Sequence, residues 1–335
     1  MSYRRFDQDD IVVSADSITT PAWTNNTTNL TTFHTSSVQA ATNSGKYYYH
    51  VYNSTIADSQ EIQFAVAYGN KVGSGSALYN NGELGKSYSS TVYGQYRTLI
   101  LGDEDTDFKF ISGSETREPD SVYFLSVQRS RFKEKILPGT MLLSLGSGSK
   151  TIKLTDNSNS VTTDTFVDSG RVYSIYSASA AGTVLNTDIE YGKLFPDVGI
   201  IALDGAQLVS QSVSGILLEG SGASTTYTTA NDNKRQLVNS IKVGSSFKLR
   251  SDETLSSNFI FVRARNSEFN YSTNPSNITG SGELRHSAMI DNPQSYITQV
   301  GLYNDSNDLL AIAKLSTPLL KDFTKEALVR IKLDY

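Results

Sequence analysis

Two neighbouring stretches, Lys46-Tyr-Tyr-Tyr-His-Val-Tyr52 and Glu61-Ile-Gln-Phe-Ala-Val-Ala-Tyr68, decide the fold class. In the second, Ile62, Phe64, Val66 and Tyr68 recur at every other position, the period of a strand that buries one face. In the first, Tyr47, Tyr48, Tyr49 and Tyr52 cannot share one face of a strand, so one set packs a core while the other meets a partner or a second layer of the same protein.

The same grammar continues outward along the chain. Ser121 to Gln128 is a near-continuous apolar strand, and Met141 to Leu145 with Thr151 to Thr155 predicts a hairpin around Gly146-Ser-Gly148. Further strands are predicted at Arg97–Leu101, Arg171–Tyr176, Phe247–Arg250, Asn258–Arg265 and Ala327–Leu333, with a turn and a buried run over Leu194–Leu203. A terminal hairpin pairs Ile297–Tyr303 with Leu309–Leu315 across Asn304–Asp308, and Pro318 interrupts the chain beyond it. The Gly- and Asn-rich stretch Gly69–Gly85 reads as a long loop. Asn231–Ile241, with an Asn or Asp cap, is the best helix, and Arg129–Lys135 supplies a helical turn or two. Composition agrees: 19 Tyr and 14 Phe stand in a Ser-, Thr-, Asn- and Gly-rich matrix, poor for helices and good for sheets. The fold class predicted is mainly β, with two or three β-sandwich or barrel-like domains, few short helices and an extended N-terminal arm.

A chain of 335 residues exceeds what one core usually organises. The predicted division is an arm over 1–45, a first β domain over 46–118, a second over 119–240, and a C-terminal β domain over 241–335 that carries the terminal hairpin. The arm holds Ile11-Val12-Val13, Pro21 and Trp23 as anchors around polar tracts.

Several function classes drop out on composition. A formal charge of -5 gives no overall basic surface, so nucleic acid is not an expected partner. No apolar run reaches the length of a membrane-spanning helix, and the opening residues turn acidic where a signal peptide would be apolar, so neither membrane insertion nor export is expected. The absence of Cys removes disulfides, thiolate metal sites and thiol nucleophiles, and three scattered histidines, His34, His50 and His286, suggest no triad or zinc site. An enzyme built from this chain would depend on paired carboxylates. No cofactor and no metal is expected.

Individual motifs yield to plainer readings. Gly146-Ser-Gly-Ser-Lys-Thr151 ends like a phosphate loop, but Ser144 and Ser149 stand where its glycines belong, and Ile152-Lys-Leu154 alternates like a strand. Gly102-Asp-Glu-Asp-Thr-Asp107 opens like a calcium loop, yet Phe108 replaces the turn glycine and Ser114 the bidentate acid, which favours a solvated acidic turn. Glu283, Arg285 and His286 read as a surface or interface salt network. Sequons at Asn25, Asn26, Asn29, Asn53, Asn270 and Asn277 arise from an Asn-, Ser- and Thr-rich composition.

Particular stretches carry a family resemblance. Tyr3-Arg-Arg-Phe-Asp-Gln-Asp-Asp-Ile-Val-Val13 leading to Trp23 and Leu30-Thr-Thr-Phe33, Gln63–Gly69 with Gly73-Ser-Gly75, Tyr93–Leu101, Arg131–Gly139 and Lys153–Asn157 resemble virion structural proteins of large contractile-tailed bacteriophages of the T-even type, notably those infecting marine cyanobacteria. Asn292-Pro293, Tyr296-Ile-Thr298, Gly301–Asp305, Leu309–Ser316 and Phe323–Glu326 are similar to a hairpin module of tail and baseplate-associated proteins. The resemblance implies a tail or wedge-type baseplate protein that docks other virion proteins in fixed geometry and in several symmetric copies, assembled in the host bacterial cytoplasm. Its alternatives are a receptor-binding tail fibre or adhesin, a neck or head-decoration protein, and a carboxylate-dependent carbohydrate-active enzyme. Tyr3, Phe6, Trp23, Tyr47, Tyr49, Tyr303 and Phe323 are the interface candidates.

Overall fold

The computed structural model describes residues 5–79, 87–209, 232–272 and 274–334. It is mainly β, with 44% of residues in strands and 19% in helices, and its sheets are antiparallel and curled. The principal elements in chain order are β1 (Ile11–Pro21), β2 (Tyr48–Tyr52), β3 (Ile62–Asn70), α1 (Tyr88–Leu101), β4 (Ser121–Val127), β5 (Leu142–Ser147), β6 (Lys150–Asp156), β7 (Gly170–Ala178), β8 (Gly192–Phe195), β9 (Ile200–Asp204), α2 (Asn233–Gly244), β10 (Phe247–Lys248), β11 (Arg250–Ala264), β12 (Ser295–Tyr303), β13 (Leu309–Lys321) and β14 (Ala327–Asp334).

The chain forms two compact units, Ile18–Glu253 and a smaller one made of Met1–Ser17 with Thr254–Tyr335. The larger is built on one sheet in the order β10, β5, β6, β7, β8, β9, β4, β3, β2, with Asn29–Leu30 beyond β10. β3 pairs with β4 across the predicted boundary at 118/119, and β10 pairs with β5 across that at 240/241, so both expected boundaries fall inside this unit. These pairings join strands that are near in space but far apart in sequence.

Both faces of this sheet are buried. On one, Phe64, Val66, Tyr68, Leu125, Leu143 and Leu203 pack with Trp23, Phe247 and the α2 residues Leu237, Val238 and Ile241. On the other, Ala67, Phe124, Phe195 and Ala202 pack with Phe108, Phe110 and the α1 residues Val92, Tyr93 and Ile100. The period of two at Ile62–Tyr68 marks the first face, and the intervening Ala65 and Ala67 are small enough to let α1 approach the second.

α2 lies within two or three residues of its predicted span. Asp232 caps it by accepting the Lys234 N–H at 3.1 Å, and Ser245 ends it in the left-handed region at φ 54. The strand predicted at Arg97–Leu101 is instead the last turn of α1. Ser87 caps that helix through the Ser90 N–H, and Gly102 at φ 79 terminates it, a start and stop pair that outweighs the local Thr-Leu-Ile-Leu run. Arg129–Arg131 forms a single 3-10 turn.

In the smaller unit β11 pairs with β14 from Ser257↔Asp334 to Ala264↔Ala327, and β1 flanks β11 on its other side. The predicted extended arm is therefore in part a sheet strand. β12 and β13 form the terminal hairpin as a separate two-stranded sheet. Ile260, Leu302 and Ile331 form the core of this unit, with Val262, Val300, Ala311, Ala313 and Val329 around them. β13 continues through Pro318, because the register shifts between Ile297↔Leu319 and Gln299↔Lys314 and leaves Pro318 in an irregular stretch that needs no ladder N–H.

Candidate functional site

The residues predicted to make contacts divide between inside and outside. Trp23 is 2% exposed and its Nε1 donates to the Phe247 carbonyl at 2.7 Å, with its ring 4.9 Å from Phe247, so it belongs to the core of the larger unit. Tyr49 is also buried, and its hydroxyl donates to the Asp232 carboxylate at 2.8 Å. These two are corrections: the polar tip that suits an interface here finds a buried partner within the chain. Tyr47 is half-buried and meets the Tyr88 ring edge-on at 4.7 Å. Tyr303 is half-buried, its ring lying where a side chain on Gly301 would stand. Phe6 and Phe323 are exposed, and Tyr3 lies outside the described residues.

The motifs weighed as chemistry have structural work. Gly148 at φ 59 and Ser149 form the two-residue turn between β5 and β6, with Ser147 facing Lys150. In the acidic turn, Asp103 accepts the Asp105 N–H at 2.8 Å, while Asp107 pairs with Lys71, lies 3.6 Å from Arg97 and accepts the Tyr93 hydroxyl at 3.2 Å. Burial alone would raise Asp107, but Lys71, Tyr93 and Arg97 together hold it below the usual aspartate value. His50 sits between Tyr48 and Tyr52 on β2, and burial lowers its pKa, which favours the neutral ring. Arg285 donates to the Ile278 carbonyl at 3.0 Å, so its guanidinium holds a loop. Among the described residues, no group of three or more His, Asp or Glu is arranged to hold a metal ion.

Buried carboxylates in the larger unit have partners. Lys234 Nζ stands 2.9 Å from Asp232 Oδ1 and 5.5 Å from the centre of the Tyr49 ring. Asp204 pairs with Arg117 and accepts the Ala206 and Gln207 N–H groups, while burial, only partly offset by Arg117, raises its pKa. Glu190 accepts the Ile111 N–H and pairs with Lys193 at 2.8 Å. Each of these three carboxylates is held by a cation and by main-chain donors, an arrangement that fixes loops to the sheet.

A groove of about 290 Å³ opens beside α1, with Tyr47, Tyr48, Gln95, Tyr96, Leu99 and Ser126 among its walls, and every lining group is neutral. Tyr96 stacks on Phe124 at 4.1 Å and shares a 2.7 Å hydrogen bond with Ser126.

The smaller unit presents the largest departure from ordinary burial. Among its described residues the buried apolar set is Ile260, Ala264, Pro293, Leu302, Ala327 and Ile331. Against these, Leu309, Leu310, Ile312 and Leu319 of β13 are exposed, with Tyr296 of β12, Leu328 of β14, Phe323 between β13 and β14, and Ile11, Val12 and Val13 of β1. So large a share of bare apolar side chains departs from the ordinary surface of a compact unit. Sequence reasoning passes over most of these residues, because apolar strands read as buried; the usable signal is that Leu309-Leu-Ala-Ile-Ala313 is apolar on both strand faces. Comparison with protein-family models, with curated proteins and with solved structures finds no match.

Proposed function

We propose that the chain is a structural component of a tailed-phage particle, a tail or baseplate protein that docks neighbouring virion subunits in fixed geometry. The observation that carries this reading is the smaller unit's excess of exposed over buried apolar side chains, set beside a larger unit whose sheet is covered on both faces. An unfinished apolar surface is what an assembled subunit requires, since fully burying a Leu or Ile side chain contributes about 1.5–3 kcal/mol and each of these would gain the share it still shows to water on docking. The sequence resemblance supplies the particle, and the paired buried carboxylates give no separate reason to assign catalysis.

The test replaces Leu310, Ile312 and Phe323 together by Ser. These side chains are exposed, so the folded chain should stay within about 0.5 kcal/mol of the wild type. The variant should fail to enter particles in a complementation assay, whereas normal incorporation would sink the docking reading. A second reading, host-receptor binding, is favoured by the neutral tyrosine-lined groove beside α1, because aromatic faces with hydroxyl and amide groups suit an uncharged saccharide. Binding of the purified chain to host cells, abolished by Tyr96→Ala, would support it.

A further inference from the structure

The smaller unit has four strand edges with no sheet partner among the described residues: the outer edges of β1 and β14, and one edge each of β12 and β13. Soluble proteins blunt such edges with charge, proline or bulges. β14 carries Arg330 and Lys332, β1 carries Asp16 behind Asp9 and Asp10, and β13 carries Pro318 and the extra residues of both register irregularities. β12, Ser295-Tyr-Ile-Thr-Gln-Val-Gly-Leu-Tyr303, has none of these devices. It is uncharged, free of proline, without inserted residues and rich in residues that favour strands.

We propose that β12 pairs antiparallel with β12 of a second copy of this chain, about a two-fold axis through Gln299. This deepens the docking reading by naming one neighbour, and it depends on that reading. In this register Ser295 faces Tyr303 of the copy, Tyr296 faces Leu302, Ile297 faces Gly301, Thr298 faces Val300, and the two Gln299 residues meet. No like charges are opposed, whereas the same overlay on β14 would set Arg330 and Lys332 of one chain near those of the other.

Tyr296 gives the pairing its direction. It lies on the same strand face as Val300 and Leu302, which supply core, yet it is 64% exposed. Antiparallel pairing sets its ring beside the copy's Leu302, so each chain extends the other's small core. The product is a four-stranded sheet, β13-β12-β12-β13, with an isologous interface.

Gln299→Cys tests the register directly on the full chain. The protein has no cysteine, so any disulfide must join two chains. Directly opposed residues in an antiparallel pair have Cα atoms about 4.5–5.5 Å apart, inside the range a disulfide spans. Mild oxidation should convert the variant to a covalent dimer, while a Gly94→Cys control stays single. Light scattering at about 50 µM should give wild type a two-chain mass, Gln299→Lys should weaken association about tenfold or more, and mixing Gln299→Lys with Gln299→Glu should restore it. A wild type of one-chain mass, or a Gln299→Lys protein that associates as wild type does, overturns the proposal. If wild type is single but the Leu310, Ile312 and Phe323 variant still fails to enter particles, docking stands and the second copy is the wrong partner.

Discussion

Gly94 occupies the middle of α1, and a Cβ built there would meet nothing within 4 Å. Its backbone is helical, so the residue costs chain entropy with no steric return, and Gly94→Ala should stabilise the protein by about 0.5–1 kcal/mol in a urea melt. Tyr49 is the opposite case. Tyr49→Phe leaves the buried Asp232 carboxylate short of one donor and should cost about 1.5–3 kcal/mol. At Asp197 burial alone would raise the pKa, but Arg171, whose Nη2 is 2.6 Å away, and the Arg171 N–H at 2.9 Å bring it below the usual aspartate value. A lowered folded-state pKa means a contribution that is complete above the unfolded value and lost as pH falls through the folded one. Asp197→Asn should therefore cost about 1 kcal/mol near neutrality, discounted for its partial exposure, with the gap to wild type closing below about pH 4. Single residues are the least legible level of the sequence. Trp23 and Tyr49 look like contact aromatics because their buried partners, Phe247 and Asp232, stand 224 and 183 residues away.

Secondary-structure elements are more legible, because period and turn chemistry are local. The β5–β6 and β12–β13 hairpins and the strands β3, β4, β7, β11 and β14 come directly from alternation and turn residues. α1 is masked over Arg97–Leu101, where a short apolar run imitates a strand and the deciding caps lie at the helix ends, Ser87 and Gly102. The packing of α2 on β5 depends on something no periodicity reveals. A Cβ on Gly244 would stand 2.0 Å from the Ser144 carbonyl oxygen, so the helix end touches the strand backbone. Gly244→Ala should force the two apart and cost about 2–3 kcal/mol, read as a lowered melting temperature with the fold retained.

For the whole molecule, the mainly β class is legible, but the division into units is not. Sheet order in the larger unit brings β9 beside β4 and β10 beside Asn29–Leu30, pairings that alternation along the chain cannot specify. The smaller unit's exposed surface is legible only in part, since β13 looks like a core strand until its neighbours are known. At this scale the expected solution behaviour is concentration-dependent. Removing the exposed Leu310, Ile312 and Phe323 side chains should raise solubility without moving the melting midpoint of the full chain, and sedimentation of the two proteins side by side checks it.

The pairing of Phe247 with Leu30 at one end of the larger sheet, with the Trp23 indole bonded to the Phe247 carbonyl, also sets an order of events during synthesis. The first strand of that seam must wait, unpaired, until nearly the last residues of the unit have left the ribosome. Pairings this distant in sequence fold slowly, on the order of milliseconds to seconds. During synthesis the apolar partners of this seam therefore stay uncovered until Phe247 has been made, an interval in which chaperones are the proteins suited to shield them.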